Sequence, residues 1–177
     1  MVTDYKNIVF GEEWQAWVDP EVPEYFNPTT VVLDKHLSSG RSSSTALIVD
    51  DDHYTYEEFL GLVCRAANGL KILKIETGSR ILLFGTDSVE YLALWFGAIR
   101  AGIVPVVVSD AYKAPNLLYF LRDTAAKTVF VDVEQSEKLA EITDDMPWTL
   151  ENVIVRGDDI GAAPESGDRH TLTYAEM

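Results

Sequence analysis

From residue 80 onward the chain alternates two textures. Short runs without a polar face, RILLFG (80–85), VPVVV (104–108), KTVFVD (127–132) and ENVIVRG (151–157), alternate with segments whose apolar residues recur at helical spacing. Apolar runs of about four to eight residues read as strands buried on both faces. The intervening segments predict helices from Asp87 or Ser88 to about Ala101, from about Ala114 to Ala126, and over EQSEKLAEI (134–142). Strands alternating with helices of about 10–15 residues predict right-handed βαβ units. The fold class is therefore α/β, with an open, mostly parallel sheet flanked by helices.

Upstream, TALIVD (45–50) reads as a strand, and residues 55–73 form the clearest helix. Thr55 and Glu58 have capping-box spacing, and Phe59, Leu62, Val63, Ala66, Ala67 and Leu70 share one face. Thr29 or Thr30 is expected to cap a helix through Leu37 that Gly40 closes. Residues 1–29 carry Pro20, Pro23 and Pro28, which forbid a long helix. They read as an extended arm whose Trp14, Trp17, Tyr25 and Phe26 pack onto the body. The body is expected over 30–157 and a tail of loop composition, without a further strand, over 158–177. The tail reads as leading into a larger protein.

In WFGAIRAGIVPVVVSD (95–110) the pattern is a helix handing over to a strand. Gly97 is expected to permit a close approach and Gly102 to supply a left-handed residue at the helix end. Pro105 is expected to start a strand whose valines lie in the centre of the sheet.

The totals narrow the function classes. One domain with a real core fits 177 residues, 47% of them apolar and 11% aromatic. The longest apolar run falls short of the roughly 20 residues of a membrane span, and the first residues lack the pattern of a secretory signal. A net charge of −15 argues against nucleic acid and anionic membranes. It leaves open a well-solvated surface or adaptation to high salt. The lone Cys64 reads as a buried structural thiol, and the chain as part of a cytoplasmic enzyme.

Candidate chemistry is sparse. Ligands of such folds bind at the carboxyl ends of the strands, at a topological switch point. No glycine fingerprint for a dinucleotide follows any strand, which disfavours a dehydrogenase domain. SSGRSSST (38–45) precedes the first strand, lacks a lysine after it, and reads as a surface turn rather than a phosphate cradle. LIVDDD (47–52) and DMP (145–147) suggest a receiver domain holding Mg²⁺, against a plain turn between two short strands. His36, His53 and His170 pair with neither Cys64 nor a serine nucleophile. On its own chemistry the chain has no catalytic residue.

The order of segments resembles one family. TYEEF (55–59), GSRI (78–81), SVEY (88–91) and GAIRAGIVPV (97–106) are similar, in order and spacing, to the opening of the AMP-forming acyl-CoA synthetases, the adenylate-forming ligases. VPEYFNPTT (22–30) most resembles the benzoate and related aryl-CoA ligase branch. Arg100 stands where that family has lysine, which reads as a conservative change on a surface turn, and Ser79 where it has an acidic residue. VVVSDAYKAPNLLYFLRD (106–123) departs from the family's loop after the V-P-V strand.

The resemblance implies the first subdomain of an ATP-dependent carboxylate–CoA ligase that uses Mg²⁺ and forms an acyl-adenylate, then an acyl-CoA. The family's phosphate loop, magnesium motif, ribose-binding aspartate, hinge and catalytic lysine are not among these residues, so the piece alone is expected to be inactive. Its one implied ligand-facing cation is Lys113, toward a CoA phosphate. A subdomain without its neighbours is also expected to self-associate through exposed apolar surface. The alternative is a stand-alone binding or regulatory module, receiver-like or a pseudo-enzyme partner.

Overall fold

The protein is described by a computed structural model over residues 25–164 and 169–177. A wide π-helical turn at Thr30–Asp34 runs into a short helix, α1 (Lys35–Ser38). Gly40 then turns the chain at φ +77°, so the segment closes where the sequence indicated. Thr29 is the cap residue, but its hydroxyl makes no capping bond and donates instead to Asn27 Oδ1 at 2.7 Å.

Strands β1 (Thr45–Val49) and β2 (Asp52–Thr55) form an antiparallel hairpin. Helix α2 (Tyr56–Ile72) follows, with the Thr55–Glu58 capping box formed. Next come β3 (Arg80–Phe84), α3 (Val89–Arg100), β4 (Val104–Val107), α4 (Ala114–Thr124) and β5 (Thr128–Asp132). Then come a 3₁₀ turn at Val133–Gln135, α5 (Ser136–Ala140), β6 (Asn152–Arg156) and β7 (His170–Thr173). The last five strands form one parallel sheet in the order β4-β3-β5-β6-β7.

Side chains of successive strand residues leave on opposite faces, and both faces are covered. Leu82, Phe84, Val129, Val131, Val153 and Val155 pack under α4 and α5, against Leu117, Leu121 and Leu139. Ile81, Leu83, Phe130 and Ile154 pack under α2 and α3, against Leu70, Tyr91, Leu94 and Ala98. Two-sided burial is why these strands lack a polar face in the sequence.

Helices α2 and α3 touch at Gly97. A Cβ there would lie 2.8 Å from Ala66 Cβ and 2.9 Å from the Ala67 nitrogen, so only glycine admits the approach. Ser88 caps α3 by accepting from the Tyr91 N–H, and Gly102 ends it at φ +76°.

Three expectations are corrected. The tail contains a strand after all: β7 pairs with β6 from Asn152↔His170 to Val155↔Thr173. Its alternation of polar and apolar residues hid it: among the described residues β7 is an edge strand with one neighbour. The valines of β4 are not central either: β4 is the opposite edge, where Val104 and Val107 are exposed and Pro105 needs no ladder partner on its open side. Finally, Tyr25 and Phe26 are not packed away, since Tyr25 is 90% and Phe26 46% exposed. What anchors this segment is Asn27, whose amide donates to the Ile99 and Arg100 carbonyls at 3.0 and 3.3 Å. Trp14 and Trp17 lie outside the described residues.

Candidate functional site

The chain leaves β3 to one side for β4, then crosses back to the other side for β5. The switch point therefore lies between the carboxyl ends of β3 and β5, at Gly85–Thr86 and Asp132. In open α/β sheets the ligand crevice opens there.

Asp132 ends β5 and is almost fully buried. Its Oδ2 accepts from the Thr86 N–H and hydroxyl, both at 2.7 Å, and its Oδ1 accepts from Arg156 Nε at 2.8 Å. Arg156 also donates to the Thr86 hydroxyl oxygen at 2.6 Å. Asp132 and Arg156 are register partners at the ends of adjacent strands, so the ion pair follows from the ladder. Burial pushes the Asp132 carboxyl up, but the bonds from Arg156 and Thr86 outweigh it and hold the group below its ordinary value. Gly85 completes the cluster: a Cβ there would lie 2.8 Å from Asp132 Oδ1.

This arrangement is a clamp. Both oxygens of Asp132 accept hydrogen bonds from within the protein, two at Oδ2 and one at Oδ1. Its work is to tie the β3 loop to the ends of β5 and β6.

The adjacent β4–α4 loop carries Lys113, the cap residue of α4. Its carbonyl accepts from the Asn116 and Leu117 N–H groups, and its side chain is exposed without an acidic partner among the described residues. Lys138 of α5 braces the same loop, donating to the Asp110 carbonyl at 2.6 Å while lying 5.2 Å from the centre of the Phe84 ring. Lys113 therefore stands free at the carboxyl edge, whereas Lys138 and Arg156 are committed to the fold. The sequence singled out Lys113 but not Asp132, Thr86, Arg156 or Lys138. The signal for the ion pair was an acid ending one apolar strand and a base ending the next.

The remaining candidates separate cleanly. Asp50 and Asp51 lie in the turn between antiparallel β1 and β2, with Asp50 at φ +52°, and Asp145 lies in a 3₁₀ turn rather than behind a strand. The receiver reading is thereby overturned, because its aspartates must gather at the carboxyl ends of parallel strands. Carbonyls of Ser42 and Ser44 accept from Glu57 and Tyr56 N–H groups at the start of α2, so the serine-rich run is structural. His36 lies in α1, His53 in β2 rather than in its turn, and His170 in β7. Cys64 is half-buried on α2 beside Arg100, not fully enclosed.

The family markers have structural work. Arg80 donates from Nε to the Thr124 carbonyl at 2.6 Å and from a terminal nitrogen to Ala125, capping the end of α4. Arg100 is not a residue of a surface turn but sits in the last turn of α3, where it forks onto Asp34. Residues 35–175 match the family of AMP-binding enzymes. The chain belongs to that family. Among AMP-binding enzymes it is similar to benzoate–CoA ligase of Thauera aromatica, with 29% identity over 147 residues, 82% of this chain and 27% of that protein. It is also similar to acetyl-coenzyme A synthetase of Cupriavidus necator, with 33% identity over 139 residues, 76% of this chain and 20% of the relative. Among solved structures it superimposes on the anthranilate–CoA ligase AuaEII in complex with anthranoyl-AMP, with a TM-score of 0.76 and 27% identity over 88% of this chain and 28% of that one. The chain thus spans about a quarter of the length of the relatives it matches.

Enzymes of this family use ATP, Mg²⁺ and CoA. Among the described residues no three His, Cys, Asp or Glu side chains come together as a metal-binding group. No helix is long and apolar enough to cross a membrane among the described residues.

Proposed function

We propose that the chain is the amino-terminal part of an ATP-dependent acid–CoA ligase for an aromatic acid such as benzoate. In the whole enzyme the acid's carboxylate attacks the α-phosphate of ATP and expels pyrophosphate. The thiol of CoA then attacks the acyl-adenylate carbonyl and expels AMP. The likeness to benzoate– and anthranilate–CoA ligases across most of this chain supports this reading. On this reading the sheet is a wall of the site, the Asp132 clamp holds its carboxyl edge in shape, and Lys113 meets a CoA phosphate. The piece alone is inactive, and the parent enzyme is cytoplasmic, where its co-substrates are.

The test is a chimera in which this chain replaces the equivalent quarter of the Thauera aromatica benzoate–CoA ligase. Pyrophosphate exchange and acyl-CoA formation are measured with benzoate, anthranilate and acetate, beside the 177-residue chain alone. The expected result is turnover of the aromatic acids by the chimera and none by the piece. A folded chimera without activity, or exchange catalysed by the piece alone, overturns the reading.

A further inference from the structure

Strand β4 is one edge of the five-stranded sheet, and no described strand pairs with its outer side. In a ladder, alternate residues turn their backbone N–H and C=O groups toward the same neighbour. The N–H groups of Val104, and of Val108 just beyond the strand, donate to the Ser79 and Leu83 carbonyls at 2.8 and 3.0 Å. Even-numbered residues therefore face β3, and Pro105, Val107 and Ser109 turn their backbone groups outward. The outward set is the Pro105 carbonyl, both groups of Val107 and the Ser109 N–H. The Ser109 carbonyl is already used within the chain, accepting from the Tyr112 N–H at 3.2 Å.

This set is its own complement. When a second copy runs antiparallel with Val107 opposite Val107, the two residues exchange both N–H···O bonds. Two residues along, the Ser109 N–H of each copy meets the Pro105 carbonyl of the other. Pro105 has no N–H to give, and the Ser109 carbonyl needs none because Tyr112 serves it. Every outward group then has a partner. Sliding the strands until Val107 faces Pro105 leaves the Val107 carbonyl without a donor. A proline blunts an edge against most partners, and here it leaves this register intact. Val107 is 58% exposed, and in this register its methyl groups meet those of its counterpart.

We infer that β4 is the contact of a symmetric dimer, in which two five-stranded sheets join into one across a two-fold axis at Val107. A second copy is the occupant because symmetry supplies the matching donors and acceptors. The edge strand has four residues, too few for the roughly 1,200–2,000 Å² of a standard interface, so the dimer is reversible and depends on concentration. A contact of this kind closes on itself, so assembly stops at two copies.

Cross-linking of the full 177-residue chain tests this geometry. Cys64 is the only cysteine, so Cys64→Ser gives a background without thiols. Val107→Cys in that background sets two thiols across the axis, with Cα atoms about 5.5 Å apart and within disulfide reach. Val104 is 48% exposed, but in this register it falls opposite Asp110. The two thiols of Val104→Cys are then about 20 Å apart along the ladder. The expected result is a disulfide dimer that forms at least tenfold faster in Val107→Cys than in Val104→Cys, with no larger species. In the otherwise unchanged chain, Val107→Pro deletes both central donors and should weaken dimerisation by about tenfold or more in sedimentation equilibrium. Thermal unfolding checks that each variant is folded. Equal cross-linking at the two positions, or none in folded Val107→Cys, overturns the inference. So does a dimer that folded Val107→Pro leaves unchanged. A monomer whose thiol in Val107→Cys resists alkylation also overturns it, since another part of the chain then covers the edge.

Discussion

Arg100 grips Asp34 with two nitrogens, at 2.7 and 2.9 Å, and the same guanidinium donates to Thr29 at 3.3 Å. The grip joins the end of α3 to a segment 66 residues earlier in the chain. A lysine offers one compact charge in place of this planar fork, so the replacement is not conservative. Arg100→Lys is expected to cost about 1 kcal/mol, a modest figure because both side chains are partly exposed. Urea unfolding measures it, and a double-mutant cycle with Asp34→Ala isolates the pair. The hydrogen bonds from Arg100 hold the Asp34 carboxyl below its ordinary value, so its titration should move upward in the lysine variant.

Gly97→Ala sets helix propensity against packing. Alanine is the better helix former by about 1 kcal/mol. Its methyl group, however, would sit 2.8 Å from Ala66 Cβ and 3.1 Å from the Val63 carbonyl, neither of which can swing aside. Overpacking of this kind costs about 1–3 kcal/mol, so the variant is expected to be less stable by up to about 2 kcal/mol. A urea midpoint at or above that of the wild type would refute the close approach.

How far the sequence disclosed these features depends on the range of the interaction. The Thr55–Glu58 box, a cap at Asp87 or Ser88 and the Gly102 turn were legible because each acts within a few residues, and the structure assigns the cap to Ser88. The buried strands were legible because two-sided burial removes polar residues from them. Strand order was not: nothing local in VPVVV says that it is an edge, and Pro105 was the only hint. Nor was β7, whose His170 is exposed and whose Thr171 is only half-buried. Asn27 on α3, Arg80 on α4 and Asp132 with Arg156 each join segments at least 24 residues apart, so these residues read as markers or went unnoticed. Lys113 could be placed in its loop from the sequence, but that no acidic partner reaches it among the described residues became visible only once the neighbouring elements were assembled around it.

The clamp makes acid stability depend on Asp132. The net effect of its surroundings lowers its pKa from the ordinary 3.8, despite the upward push of burial. The folded state therefore holds the charged form more tightly than the unfolded chain does. The resulting stability is present above pH 3.8 and is lost as pH falls below it, through the lower folded value. Asp132→Asn should remove this part of the pH dependence. At neutral pH it should cost about 3 kcal/mol, because Arg156 loses its charge partner and Thr86 an acceptor. Urea unfolding from pH 7 to pH 2 checks both. A variant with the wild-type pH profile would show that the clamp does not couple to folding.

The open edge of β4 predicts self-association. Val104 and Val107 are exposed along it, with Tyr112 and Tyr119 exposed on the loop and helix that follow. Unpaired edge strands with apolar side chains invite a second copy. The net charge of −15 opposes this, so association should strengthen as salt screens the repulsion. Val107→Lys is expected to weaken it by about tenfold. Sedimentation velocity across concentrations and salt would reveal it, and a monomer at all of them would refute it.

Lys113 supplies the kinetic prediction. In the chimera with the benzoate–CoA ligase, a lysine that meets only a CoA phosphate contributes to binding and not to the chemical step. Lys113→Ala should therefore raise KM for CoA while leaving kcat and the adenylation half-reaction unchanged. The size should be roughly three- to tenfold, since an exposed ammonium gains less than a buried one. Its salt dependence is the sharper criterion. If the ammonium faces a phosphate, the wild-type KM for CoA rises with ionic strength and the variant's rises less. Lys113→Arg should retain most of the affinity, because the charge stays at the same end of α4. Dephospho-CoA separates the phosphates: if the lysine faces the 3′-phosphate, wild type and Lys113→Ala become equal on that substrate. An unchanged KM in Lys113→Ala on both substrates would leave Lys113 a solvated surface residue and require the CoA phosphates to be held elsewhere.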